Sequence, residues 1–167
     1  MGAEDGDREL AAWAFAAWQR AVGPNLELAP TDAEQDALVR VIWAEPGAGQ
    51  YGEMMPVRVG PKRGAAVFIR PDTTALGPEI AALAAADPLF RDVIVYLTCV
   101  HELGHALGLA HTDQFADIMY SFGYGGDIGE YFGSFRRAIS SRSDLPNGHA
   151  LSANDISRVR VLYGAEP

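Results

Sequence analysis

His101, Glu102, His105 and His111 stand within the stretch "CVHELGHALGLAHTDQFADIMY", residues 99–120, which holds three of the chain's four histidines. Side chains four apart on a helix are separated by about 400° of rotation, so His101 and His105 share one face, about 6 Å apart along the axis. That spacing lets both imidazoles reach one ion at roughly 2.0–2.1 Å. A third ligand further along the same straight helix would meet the ion at poor angles, so the chain has to bend. Gly108 is the residue type that ends a helix in a left-handed conformation, and His111 follows the bend. Three neutral imidazoles suit Zn²⁺ and leave a fourth position for water, whereas a structural zinc site is closed by four protein ligands. Cys99 lies two residues before His101, about 200° around the helix, and reads as a small buried hydrophobe rather than a ligand. Glu102, beside His101, would flank the ion and act as the base toward the water that such an ion acidifies. His149 stands alone in "NGHA" and reads as a surface residue.

The elements that must position these residues can be traced by period. Leu10, Ala14, Phe15, Trp18 and Val22 recur at spacings of three and four, an amphipathic helix that "GPN" ends. "LEL" at 26–28 and "ALVRVIWAE" at 37–45 suggest strands, "EPGAGQYGE" a loop, and "MPVRVG" and "GAAVFIR" two more strands around "GPKRG". Residues 79–86 read as a short Ala-rich helix. Asp87 then serves as N-cap, with Pro88 at the first helical position, for a long helix that carries the histidines to Gly108. Residues 121–150, rich in Gly, Ser and aromatics, read as a long loop. "LSANDISRVRVLYG" closes as a helix with Ser152 as N-cap, Asp155 three residues on and Gly164 as its stop.

A length of 167 residues suggests one domain with a real core. A net charge of −9 argues against nucleic acid, whose phosphates need Lys and Arg. No apolar run approaches the roughly 20 residues of a membrane span. One cysteine excludes an internal disulfide and says little about compartment. The acidic start "MGAEDGDREL" lacks the basic n-region of a signal peptide, which leaves a cytosolic location and a trimmed start both open.

On these residues the chain resembles the metzincin zinc metallopeptidases, and among them the matrixins, the matrix metalloproteinase group. His101, Glu102, His105, Gly108 and His111 complete the eleven-residue zinc signature. Met119 resembles the Met-turn methionine. Its adjacent Tyr120 is similar to the matrixin pair; in astacin- and serralysin-like enzymes the tyrosine that can reach the zinc stands two residues past the methionine, so Tyr120 is not taken as a ligand. "LSANDISRVRVLYG" resembles the last matrixin helix, in which the residue at Asp155 anchors the Met-turn backbone, and "AFAAWQRAV" resembles the first helix.

The resemblance implies an α+β, zincin-like fold. Its parts would be a small, twisted, mostly parallel sheet of about four strands, an N-terminal helix, a long active-site helix and a C-terminal helix. It implies one catalytic domain over 1–167, with an upper subdomain 1–108 and a lower one 109–167. The implied activity is zinc-dependent hydrolysis of peptide bonds by a monomeric endopeptidase. The extended substrate would pair with an edge strand at 56–59 or 65–70, and Tyr120, Phe122 and Tyr124 are candidates for its pocket. Departures accompany it. The loop that holds a second zinc and calcium in matrixins is absent, "SFGYGG" replaces the Pro-x-Tyr wall, and Asn154 stands where matrixins often have Asp. Asp127 and Glu130 in "GYGGDIGE" could hold calcium but lack the ligand spacing of a calcium loop. The alternatives are a zinc-binding interaction module and a zinc hydrolase acting on a non-peptide amide. The family favours secretion, and a cytoplasmic location stays open.

Overall fold

The computed structural model describes residues 6–45 and 50–164. The first five residues of the acidic start, and residues 46–49 of the Gly- and Pro-rich loop, lie outside the described residues. Helix α1 spans Asp7–Val22 and ends at Gly23, whose φ of 78° only glycine adopts readily. Its apolar stripe buries Leu10, Ala14, Trp18 and Val22, as the spacing predicts. Strands β1 (Val39–Trp43), β2 (Gly52–Val59) and β3 (Lys62–Ile69) follow, then helix α2 (Pro78–Ala86). The long helix α3 spans Pro88–Ala106, with the Asp87 carboxylate accepting from the Leu89 and Phe90 amides at 3.1 and 3.2 Å. Helices α4 (Ile128–Arg137) and α5 (Ala153–Leu162) complete the chain.

The architecture is α+β, with a mixed sheet in the order β1-β3-β2. β1 pairs with β3 in parallel and β2 pairs with β3 antiparallel, so among the described residues the sheet has three strands rather than the expected four or so, and is half parallel. The "LEL" segment does not pair. Instead the Leu28 amide donates to the Gln19 side chain of α1 at 2.9 Å. The hairpin between β2 and β3 turns at Gly60, whose φ of 59° suits the first loop position of a two-residue hairpin. β3 is central and cannot be an edge, which removes 65–70 as a substrate-pairing strand; β2 is the edge that borders α3.

α3 runs through the middle of the molecule. Phe90, Val93, Ile94, Val95, Tyr96, Leu97, Cys99, Val100 and Leu103 are all buried, so its β-branched run is packed rather than exposed. A buried ion pair between Asp7 and Arg91 joins the start of α1 to the start of α3. The Trp18 indole N–H donates to the Val100 carbonyl at 2.8 Å. Gly104 is the point of closest packing: a Cβ there would lie 2.9 Å from Trp18 Cζ2 and nearer still to Met119 Sδ. Helix propensity favours alanine over glycine by up to about 1 kcal/mol. Both neighbours are fully buried, and overpacking costs about 1–3 kcal/mol. Gly104→Ala is therefore expected to lower Tm by several degrees in a thermal scan, at about 2–4 °C per kcal/mol for a chain of this size. An unchanged Tm would show that Met119 relaxes freely.

Residues 121–150 depart from the expected loop. α4 lies there, with Asp127 as N-cap accepting from the Glu130 amide at 2.9 Å and Ile128, Tyr131, Phe132 and Phe135 turned toward the core. Glu130 pairs with Arg137. Asp127 and Glu130 thus serve the helix, and among the described residues neither belongs to a cluster of three or more potential metal ligands. His149 is exposed, as expected.

Candidate metal centre

His101 and His105 project from the last turns of α3. The helix stops where Gly108 takes φ 102°, and the Leu109 amide donates back to the Gly104 carbonyl at 2.9 Å. The chain then reverses and presents His111. His111 Nε2 lies 3.2 Å from His101 Nε2 and 3.1 Å from His105 Nε2, and all three donor atoms fall within 4.8 Å of one another.

The opposite ring nitrogens fix the tautomers. His101 Nδ1 is 2.6 Å from the Ile118 carbonyl and His105 Nδ1 is 2.8 Å from the Leu109 carbonyl. A carbonyl oxygen only accepts, so each Nδ1 carries the proton and each Nε2 is a bare lone pair. Burial holds the His101 imidazole down to about 4, and holds His111 below its usual value, with His105 adding to both effects. Lone pairs about 3 Å apart repel unless a cation sits among them. Two ligands of a tetrahedral ion at 2.0–2.1 Å are about 3.3 Å apart, so the donor set fits zinc. Cys99 is buried, and burial raises its thiol, consistent with a packing role.

A turn at 117–120 supports the cluster from below. The Asp155 carboxylate accepts from the Ile118 amide at 2.8 Å, the Met119 amide at 3.4 Å and the Ser152 amide at 2.9 Å. The Ser152 hydroxyl and the Asn154 amide each donate to the Asp117 carboxylate at 2.6 Å. Asn154 therefore has a partner of its own in a buried carboxylate that the sequence reading passed over. The Thr112 amide donates to the Met119 carbonyl at 2.9 Å, which closes the loop from His111 back to this turn. Met119 is fully buried, with its sulfur packed against Gly104 of α3. The Ile118 carbonyl that receives His101 is thus held by a backbone whose amides are capped on the other side.

The histidines open on a cleft of about 460 Å³. Its walls are Tyr51–Met54 of the β2 end, Leu97 and Thr98 of α3, Ser121–Gly123 of the loop, and Tyr131 and Phe132 of α4. Glu102 lies in the same cleft with only 6% of its surface exposed. Burial pushes its carboxyl up to about 7, and Glu53 adds to the shift. Gly52 lets β2 close on it: a Cβ there would sit 2.7 Å from Glu102 Oε1 and 2.7 Å from Thr98 Cγ2. Of the three expected pocket residues, Tyr120 and Phe122 line the cleft and Tyr124 does not; it is 66% exposed. Tyr131, Phe132 and Leu97 were missed. The spacing of Tyr131 and Phe132 with Ile128 and Phe135 was a helical stripe that two intervening glycines obscured. The part of β2 that borders the site is Gly52–Met54, upstream of the expected 56–59.

Among curated proteins the chain is similar to macrophage metalloelastase of Rattus norvegicus, 36% identical over 76 residues, 46% of this chain and 12% of the relative. It is also similar to the interstitial collagenases of Sus scrofa, 32% identical over 76 residues, and Bos taurus, 30% over 76, each covering 45% of this chain and 12% of the relative. The match thus spans about an eighth of the length of these relatives. No solved structure gives a significant match. A family model described as matrixin matches residues 3–127, about three quarters of the chain and all four of the site's His and Glu residues. The chain belongs to the matrixin family.

Proposed function

We propose that the chain is a zinc-dependent endopeptidase, with His101, His105 and His111 as the ligands and Glu102 as the general base. The observation that carries the reading is the convergence of three Nε2 atoms, two of them left bare because the His101 and His105 Nδ1 protons are committed to carbonyls, beside a buried carboxylate in an open cleft. A zinc ion held there supplies Lewis acidity toward a carbonyl oxygen and makes water a nucleophile near neutral pH. The other steps belong to the chain. Glu102 takes the proton of the water that attacks the peptide carbonyl carbon. It then delivers that proton to the amine as the C–N bond breaks. Gly52 leaves the space in which this carboxylate sits. The free edge of β2 beside the cleft offers backbone groups for pairing with an extended substrate. Tyr120, Phe122, Tyr131 and Phe132 form an apolar wall for a substrate side chain. The turn carrying Met119 serves as the Met-turn, anchored by Asp155, and the cleft separates an upper part, 1–108, from a lower part, 109–167.

The test is digestion of an unfolded protein and of a random peptide library by the purified chain, with the new termini mapped by mass spectrometry. Cuts within chains, abolished by a zinc chelator, are expected. Zinc bound with no amide bond cut in any substrate would leave a binding module as the better account.

A further inference from the structure

Among the described residues β2 is paired on one side only, and its two faces differ. Gly52 and Met54 face α3: a Cβ at 52 would meet Glu102 and Thr98, and Met54 packs on the core. Alternation places Glu53 and Met55 on the outer face. Glu53 is exposed, lines the same cleft as Glu102, and its charge is felt at that carboxylate. It forms no ion pair with the described residues. Among the described lining residues there is no Lys or Arg, so the only charged side chains other than the histidines are Glu53 and Glu102. Arg40, on the same outer face, belongs to β1, two strands away, and its register partner on β3, Ala66, pairs with Met55 rather than with Glu53. Arg58 and Arg63 sit at the far end of the hairpin. Arg70, two residues past the register partner of Glu53, is buried at 4% exposure and does not line the cleft, so the exposed charge on the outer rim at the strand where substrate would pair is that of Glu53.

We propose that Glu53 makes the cleft selective for peptides with a Lys or Arg side chain at an outward-facing position next to the cut bond. This rests on the endopeptidase reading above. A peptide strand added to β2 brings its side chains within about 4.5–5.5 Å of those it faces, near enough for opposite charges to attract and like charges to repel. The chain's net charge of −9 acts in the same direction over longer range, by steering cationic substrates to the surface.

The test uses quenched fluorescent peptides that are identical except for Lys, Gln or Glu, scanned through the positions on either side of the cut. The readout is the Lys-to-Glu ratio of kcat/KM within each enzyme, which cancels differences in folded fraction. The native chain is expected to favour Lys by about 3- to 10-fold at one outward position, less so in high salt. E53Q is expected to remove most of that ratio, and E53K to invert it. A ratio that E53Q leaves unchanged, or no Lys preference at any position, overturns the assignment while the peptidase reading stands. Failure of the native chain to cut any of the peptides overturns both.

Discussion

Glu102→Gln is expected to lower kcat/KM for peptide hydrolysis by about 10²–10⁴, the range that a positioned general base contributes, while zinc content stays at that of the native chain. Glutamine keeps the volume of a side chain that is only 6% exposed, so the cleft should not collapse. It cannot accept the proton of the attacking water. Stability supplies a second signature in the metal-free protein. There, burial raises the Glu102 carboxyl from 4.5 to about 7. A carboxyl with a raised folded pKa binds its proton more tightly in the folded state. It therefore withdraws stability as pH rises from about 4.5 through 7. The cost is about 3 kcal/mol above that window and nothing below it. Chelated Glu102→Gln should consequently melt above the chelated native chain at pH 8 and level with it at pH 4. A bound divalent cation favours the ionised carboxylate and should shrink the difference. Equal activity in the two proteins would remove Glu102 from the mechanism.

His105→Ala is expected to abolish both metal binding and hydrolysis. The triangle of Nε2 atoms then loses a corner that lies 3.1 Å from His111 Nε2, and two imidazoles remain. Losing an outer-sphere hydrogen bond alone typically weakens a site 10- to 100-fold, and losing a ligand should exceed that. The heat signature is concrete. Zinc at 1,000 times its Kd stabilises the native chain by about 4 kcal/mol. At about 2–4 °C per kcal/mol that is a rise in Tm of roughly 8–16 °C. The variant should show little of this rise at the same zinc concentration. A full rise would place the metal elsewhere.

The candidate site was legible because its logic is local. Two histidines four apart on a helix, a glycine that must end it and a third histidine past the bend are fixed by helical pitch and by the positive φ at Gly108. The caps at Asp87 and Ser152 were legible for the same reason. What the sequence concealed is non-local. Which of β2 and β3 is the edge depends on a parallel partner, β1, about 20 residues upstream of β3, and no pattern within either strand reports it. Asp117 reads as an ordinary loop acid until α5 brings Ser152 and Asn154 against it. α4 was hidden differently. Its apolar stripe is present, but Gly129 and Gly133 lower its helix propensity, and burial of Phe132 against the core compensates. That helix lies beyond residue 127, where the matrixin match ends, and it supplies one wall of the cleft.

The central claim is that one zinc ion on three histidines makes this cleft a hydrolytic site. Its most direct test is a titration of zinc into the chelated chain, following cleavage of a peptide substrate and bound metal in the same samples. Activity should rise linearly and stop at one zinc per chain, with no activity at zero. Full cleavage by the metal-free chain, or a fully loaded chain that cuts nothing while the Glu102→Gln control behaves identically, would contradict it.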